Sequence, residues 1–202
     1  MHDCSDNKKE VCSMISATEA KKKLIEGNQK YIDAKAGEGD VSTQLRRKTA
    51  EEGQQPYAII ISCSDSRVIP EAIFSAGIGD LFVIRVVGNV LDNHQLGSIE
   101  YAAEHLGTKL IVMLGHTGCG AINAVIDGHS GGFIDYISKD IAIAIGDEKD
   151  EFKASCLNVQ HGVERIRHEL EIHPIEDEKG LEVIGAIYHI EDGTVEFLPE
   201  DR

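Results

Sequence analysis

Four short apolar runs constrain this chain more than any other feature: "YAIIIS" from residue 57, "LFVIRVV" from 81, "LIVML" from 110 and "LEVIGAIY" from 181. Each is too short and too β-branched for a helix, and their near-continuous hydrophobicity suits strands buried on both faces. Helical patterns separate them, with Ile99, Ala102, Ala103 and Leu106 on one stripe and Cys156, Val159, Val163, Ile166 and Leu170 on another. Strands alternating with helices predict an α/β fold with a mostly parallel central sheet and helices on both faces. "EDGTVEFL" at 191–198 adds an Asp-Gly turn and a short hairpin strand at the sheet edge. Ser16 and Glu19 form a capping box for an amphipathic helix over 17–35, and further helices are expected over 43–52 and about 133–145.

At 202 residues and 42% hydrophobic content, the chain holds one substantial core. It is read as a single domain over 16–202, preceded by a polar leader, 1–15, that is expected to be disordered and that carries Cys4 and Cys12. A formal charge of -15 with scattered basic residues excludes a nucleic-acid partner, because phosphate binding needs clustered Lys and Arg. No run approaches the roughly 18 apolar residues of a membrane span. Five cysteines is an odd number in a chain too large to need stapling, so reduced thiols and a cytoplasmic location are expected.

In an open parallel sheet, function collects beyond the carboxyl ends of strands. Two motifs fall there: "CSDSR", with Cys63, Asp65 and Arg67, ends the first strand, and "HTGC", with His116 and Cys119, follows the third. Two thiolates and one imidazole suit a tetrahedral zinc with one position open, and Cys63, His116 and Cys119 supply that set. Asp65 has two readings. As a fourth ligand it would close the site and leave it at net -1; held bidentately by Arg67 it would stay off the metal and leave room for water. A lone Cys at a strand end is ordinarily a small buried hydrophobe and an Asp-Arg pair a surface ion pair, but five such residues at two strand ends fit a metal site better. Cys156 shares a stripe with Val159 and Val163 and is assigned to the core.

"CSDSR" with "HTGC" placed so that His116 stands 53 residues after Cys63 resembles the β-class carbonic anhydrases over about residues 54–125. The resemblance implies reversible hydration of carbon dioxide to bicarbonate and a proton by a zinc-bound hydroxide, with one zinc per subunit held by Cys63, His116 and Cys119. It implies that Asp65 accepts a hydrogen bond from that hydroxide, or ligates zinc in a closed state, and that Arg67 orients Asp65. Gln54 then binds substrate, Phe82 and Tyr101 line an apolar pocket partly contributed across a dimer interface, and His105 is a candidate proton shuttle. Homodimers or homotetramers assembled through the first helix and the sheet edge are implied, with the N-terminal helix packed on a partner subunit. The chain departs from that family's pattern at "RVVGN", where relatives often have "RN", and it lacks the tryptophan used by bicarbonate-regulated members.

Three alternatives stand beside this reading. Relatives with the same ligands hydrolyse carbon disulfide, a non-catalytic zinc protein would keep Asp65 on the metal, and "GHTGCGA" loosely resembles a nucleotide-binding turn without the spacing of a phosphate loop.

Overall fold

The computed structural model describes residues 14–33, 39–129, 131–169 and 180–199. Cys4, Cys12, Leu170 and most of the polar leader lie outside them. The strands are β1 (Ala58–Cys63), β2 (Leu81–Val86), β3 (Leu110–His116), β4 (Glu182–Tyr188) and β5 (Val195–Phe197). The helices are α1 (Ala17–Ile32), α2 (Thr43–Glu52), α3 (Pro70–Ile73), α4 (Asn93–Glu100), α5 (Gly120–Ile126), α6 (Ile134–Ile145) and α7 (Glu151–Glu169). α4 runs on into one widened π-helical turn, Tyr101–His105.

The sheet order is β2-β1-β3-β4-β5, with the first four strands parallel and β5 antiparallel to β4. From β1 the chain crosses to β2 on one side and then to β3 on the other. The crevice between the carboxyl ends of β1 and β3 is therefore the topological switch point. β1 and β3 are buried along their whole length, as their unbroken apolar runs require.

Side-chain alternation divides the core into two layers. Ile60, Val112, Leu114 and Ile184 face α1 with its Ala17, Ala20 and Leu24, whereas Ile59, Ile61, Ile111 and Met113 face Ile99 of α4 and Val159, Val163 and Ile166 of α7. The predicted stripes of both latter helices are thus the packed ones. The capping box of α1 is formed in both directions, Glu19 N–H to Ser16 Oγ at 3.2 Å and Ser16 N–H to Glu19 Oε2 at 2.9 Å.

Two contacts fix elements that matter for the site. Buried Asn28 of α1 donates to the carbonyls of Ile73 (3.2 Å) and Gly193 (2.8 Å) and accepts from Val195 N–H (3.0 Å), tying α1 to α3 and to the β4–β5 hairpin. Under α7, a Cβ on Gly115 or Gly185 would lie 2.6 or 2.7 Å from a methyl of Val159, so side chains there would lift the helix off β3 and β4.

Candidate metal centre

Cys63 is the last residue of β1, His116 the last of β3 and Cys119 the residue that opens α5, so the switch point brings all three together. They are buried, and their ligand atoms lie within 4.8 Å of one another, the one such group among the described residues. His116 Nδ1 lies 2.8 Å from the carbonyl of Thr117. That carbonyl can only accept, so Nδ1 carries the proton and Nε2 presents its lone pair inward. Nε2 is buried with no hydrogen-bond partner. A buried, unpartnered ring nitrogen facing two sulfurs is costly without an occupant and fits a soft-to-borderline cation such as zinc.

The sulfur of Cys63 receives N–H groups from Gly88 (3.2 Å) and Asp65 (3.4 Å). With a hydrogen bond from the Cys119 thiol as the largest cause, and despite burial, these contacts draw its pKa down to about 4. Cys119 moves the opposite way, because its proton is held on the Cys63 sulfur and burial disfavours a second thiolate. Cys63 is therefore the first thiolate of the pair. Burial works against a charged ring at His116, but contacts with Cys63 and with the Thr117 carbonyl leave its pKa raised. A divalent ion bound at the triad would displace the proton of the Cys119 thiol.

Asp65 stays outside this group. Arg67 grips it with a fork, Nε to Oδ1 at 3.0 Å and Nη2 to Oδ2 at 2.8 Å, and the Arg67 backbone N–H adds a bond to Oδ1 at 2.9 Å. The guanidinium holds the Asp65 carboxyl well below the usual carboxylate range. Arg67 Nη2 also donates to the Gly118 carbonyl at 3.0 Å, joining the β1 loop to the His-Thr-Gly-Cys turn. Gly118 takes φ of +66°, the left-handed region in which glycine is unstrained.

Gln54, Phe82, Tyr101 and His105 are not gathered at the triad of their own chain. Phe82 is level with Ile59, four residues before Cys63 along β1, which places it about 13 Å down the sheet. Its ring packs at a tilt against Tyr101, centroids 6.3 Å apart, and Tyr101 in turn against His105 at 5.4 Å. Tyr101, His105 and Gln54 are exposed, Gln54 in the segment that enters β1.

Several residues at the centre escaped sequence reasoning. Arg85 of β2 donates to the carbonyls of Cys63 (3.0 Å) and Asp65 (2.7 Å), clamping the loop that carries both. An arginine inside "LFVIRVV" was its available signal. Thr117 Oγ1 donates to Glu191 at 2.9 Å and accepts from Ile190 N–H at 3.0 Å, pinning the turn to the end of β4. Gly88, part of the departure "RVVGN", supplies a donor to Cys63. Glu151, Ser155 and Asn158 of α7 also reach this region, at Gly118, His116 and Gly88.

The sequence model of the family described as "Carbonic anhydrase" matches residues 58–195. A carbonic anhydrase of Mycolicibacterium smegmatis is 34% identical over 189 residues, covering 87% of this chain and 90% of that protein. Carbonic anhydrase 2 of Mycobacterium tuberculosis is 35% identical over 183 residues, covering 85% and 88%. Among solved structures, a tetrameric β-carbonic anhydrase from Sordaria macrospora superposes with a TM-score of 0.70 at 30% identity, covering 87% of this chain and 94% of that one. The Coccomyxa β-carbonic anhydrase superposes with a TM-score of 0.68 at 28% identity, covering 88% and 85%.

Proposed function

The chain belongs to the β-class carbonic anhydrase family, and from that membership we propose how its residues divide the reversible hydration of carbon dioxide to bicarbonate and a proton. The observation that carries the activity is the buried triad of Cys63, His116 and Cys119 with its unpartnered imidazole nitrogen. These three residues hold a single zinc. When bound, zinc supplies Lewis-acid activation of water, which makes a nucleophile available near neutral pH.

Asp65 and Arg67 orient the attack. Asp65 Oδ1 already receives two donors from Arg67, whereas Oδ2 receives one. A carboxylate oxygen has two lone pairs, so Oδ2 keeps one to accept a hydrogen bond from the attacking water. The hydrogen bonds from the Arg67 guanidinium keep Asp65 ionised and therefore an acceptor only. Its engagement with Arg67 supports an open site. Ligation by Asp65 in a closed state would require the fork to break first.

Gln54, Phe82 and Tyr101 serve the site of a neighbouring subunit. Their distance from their own triad and the exposure of Gln54 and Tyr101 support this. A dry apolar wall of Phe82 and Tyr101 suits a small uncharged substrate, and Gln54 supplies a polar contact to it. His105, packed against Tyr101, is then a proton shuttle at that shared boundary. The exposed Ile25, Tyr31 and Ile32 of α1 support packing of that helix on a partner, and similarity to the tetrameric Sordaria protein supports a homotetramer. No helix among the described residues is long and apolar enough to cross a membrane. The free thiol of Cys156 supports a reducing, cytoplasmic setting.

The test is a stopped-flow assay of carbon dioxide hydration on zinc-loaded and chelated protein, with carbon disulfide as comparison substrate. Zinc-dependent hydration is expected. Turnover of carbon disulfide alone would overturn the substrate assignment.

A further inference from the structure

We propose that a polar stripe on α7, formed by Glu151, Ser155 and Asn158, positions all three ligands of the metal centre. These residues stand at i, i+4 and i+7 and so share one face of the helix. Glu151 accepts the N–H of Gly118, the residue between Thr117 and Cys119 in the turn that carries two ligands. One turn later, Ser155 Oγ donates to the carbonyl of His116 at 3.4 Å. Asn158 Nδ2 donates to the carbonyl of Gly88 at 3.0 Å, and Gly88 N–H donates to the Cys63 sulfur at 3.2 Å. One rigid element thus reaches the backbone behind each ligand.

The stripe's cost argues for this role. Ser155 and Asn158 are 1% and 5% exposed on a helix that otherwise packs through Val159, Val163 and Ile166. Burying a hydroxyl or an amide is unfavourable unless it is hydrogen-bonded, and two of the bonds named here go to backbone of the metal cradle. Gly118 is gripped from both sides: Glu151 takes its N–H while Arg67 Nη2 binds its carbonyl at 3.0 Å. Residues that orient metal ligands through hydrogen bonds tune affinity without touching the ion. Glu151, Ser155 and Asn158 are positioning residues in this sense.

The inference rests on the zinc reading of the triad. Its test compares full-length protein with Glu151→Ala, Glu151→Gln and Asn158→Ala, using Val163→Ala as a packing control on the same helix. Zinc affinity is read by competition with a chromophoric chelator, melting temperature is read with and without zinc, and ligand geometry is read from the visible absorption of cobalt-substituted protein. Glu151→Ala and Asn158→Ala are expected to weaken zinc binding by about 10-fold or more. They also narrow the gap between the zinc-loaded and metal-free melting temperatures and shift the cobalt bands. Glu151→Gln, which keeps an acceptor oxygen, stays close to wild type. Val163→Ala lowers both melting temperatures together and leaves zinc affinity and cobalt bands unchanged. Should Glu151→Ala fail to fold, Ser155→Ala carries the same comparison with a smaller expected effect. The proposal is overturned if the stripe variants behave like Val163→Ala. A wild-type protein that binds no zinc would instead overturn the reading of the triad.

Discussion

Arg67 binds Asp65 through both ends of its guanidinium fork, at 3.0 and 2.8 Å, and with the nitrogen that closes the fork also reaches Gly118. The orienting pair and the ligand-bearing turn are therefore joined by one side chain. Arg67→Ala is expected to retain stoichiometric zinc by elemental analysis yet lose most turnover. Arg67→Lys does not rescue it, because an ammonium cannot reproduce the planar two-point grip. Full activity in the alanine variant would refute the orienting role.

Cys63→Ser removes the sulfur that two backbone N–H groups and the Cys119 thiol favour as a thiolate. A serine hydroxyl is a poor zinc ligand, so purified Cys63→Ser should contain far less than one zinc per chain and hydrate no carbon dioxide. Stoichiometric zinc in that variant would show that Cys63 is not a ligand.

The folded pKa of Asp65 lies below its unfolded value of about 4. Its contribution to stability is therefore full above the unfolded value and is lost as pH falls through the folded one. In urea titrations of metal-free protein, Asp65→Asn should be less stable than wild type at neutral pH, and the difference should disappear on acidification. A difference independent of pH would mean that the lost contact is not charge-based. Hydration by the zinc-loaded wild type should rise from pH 6 to about 9, because loss of a proton creates the nucleophile.

Sites completed by a neighbouring subunit predict complementation. Arg67→Ala damages the metal side of a site, whereas Phe82→Ala with Tyr101→Ala damages the wall lent to the partner. Unfolding and refolding a one-to-one mixture should restore about a quarter of wild-type activity, since half of randomly formed pairs are hybrid and each holds one intact site. No recovery above the separate variants would place Phe82 and Tyr101 outside the shared site.

Asn28 makes three hydrogen bonds from a buried position between α1, α3 and the β4–β5 hairpin. Asn28→Ala leaves two carbonyls and one N–H without their partner and should lower the unfolding free energy by about 3 kcal/mol, measured by denaturant titration.

The sheet was legible in the sequence because its central strands β1 and β3 are buried on both faces, so "AIIIS" and "LIVML" admit few other readings. The triad was legible because its ligands sit at strand ends, where Cys and His have no packing reason to cluster. The supports were not. Glu151 begins a helix like many acidic residues, and Ser155 and Asn158 interrupt an apolar pattern without declaring what they face. Their partners are backbone groups, which have no signature in a side-chain alphabet. The widened turn at Tyr101–His105 also left no trace in the periodicity, since Ile99 and Ala102 are buried and Ala103 half-buried as an ordinary helix requires. Phe82 and Tyr101 were singled out by family likeness, and only the register of β2 against β1 shows how far they lie from the triad of their own chain.

Val159 rests on the backbone of Gly115 and Gly185 on adjoining strands, and it stands next to Asn158 and one turn on from Ser155 along the helix. The depth at which α7 settles is thus a mechanical setting for the chemistry above it. A single methyl group added beneath would detune the catalyst by raising its scaffold.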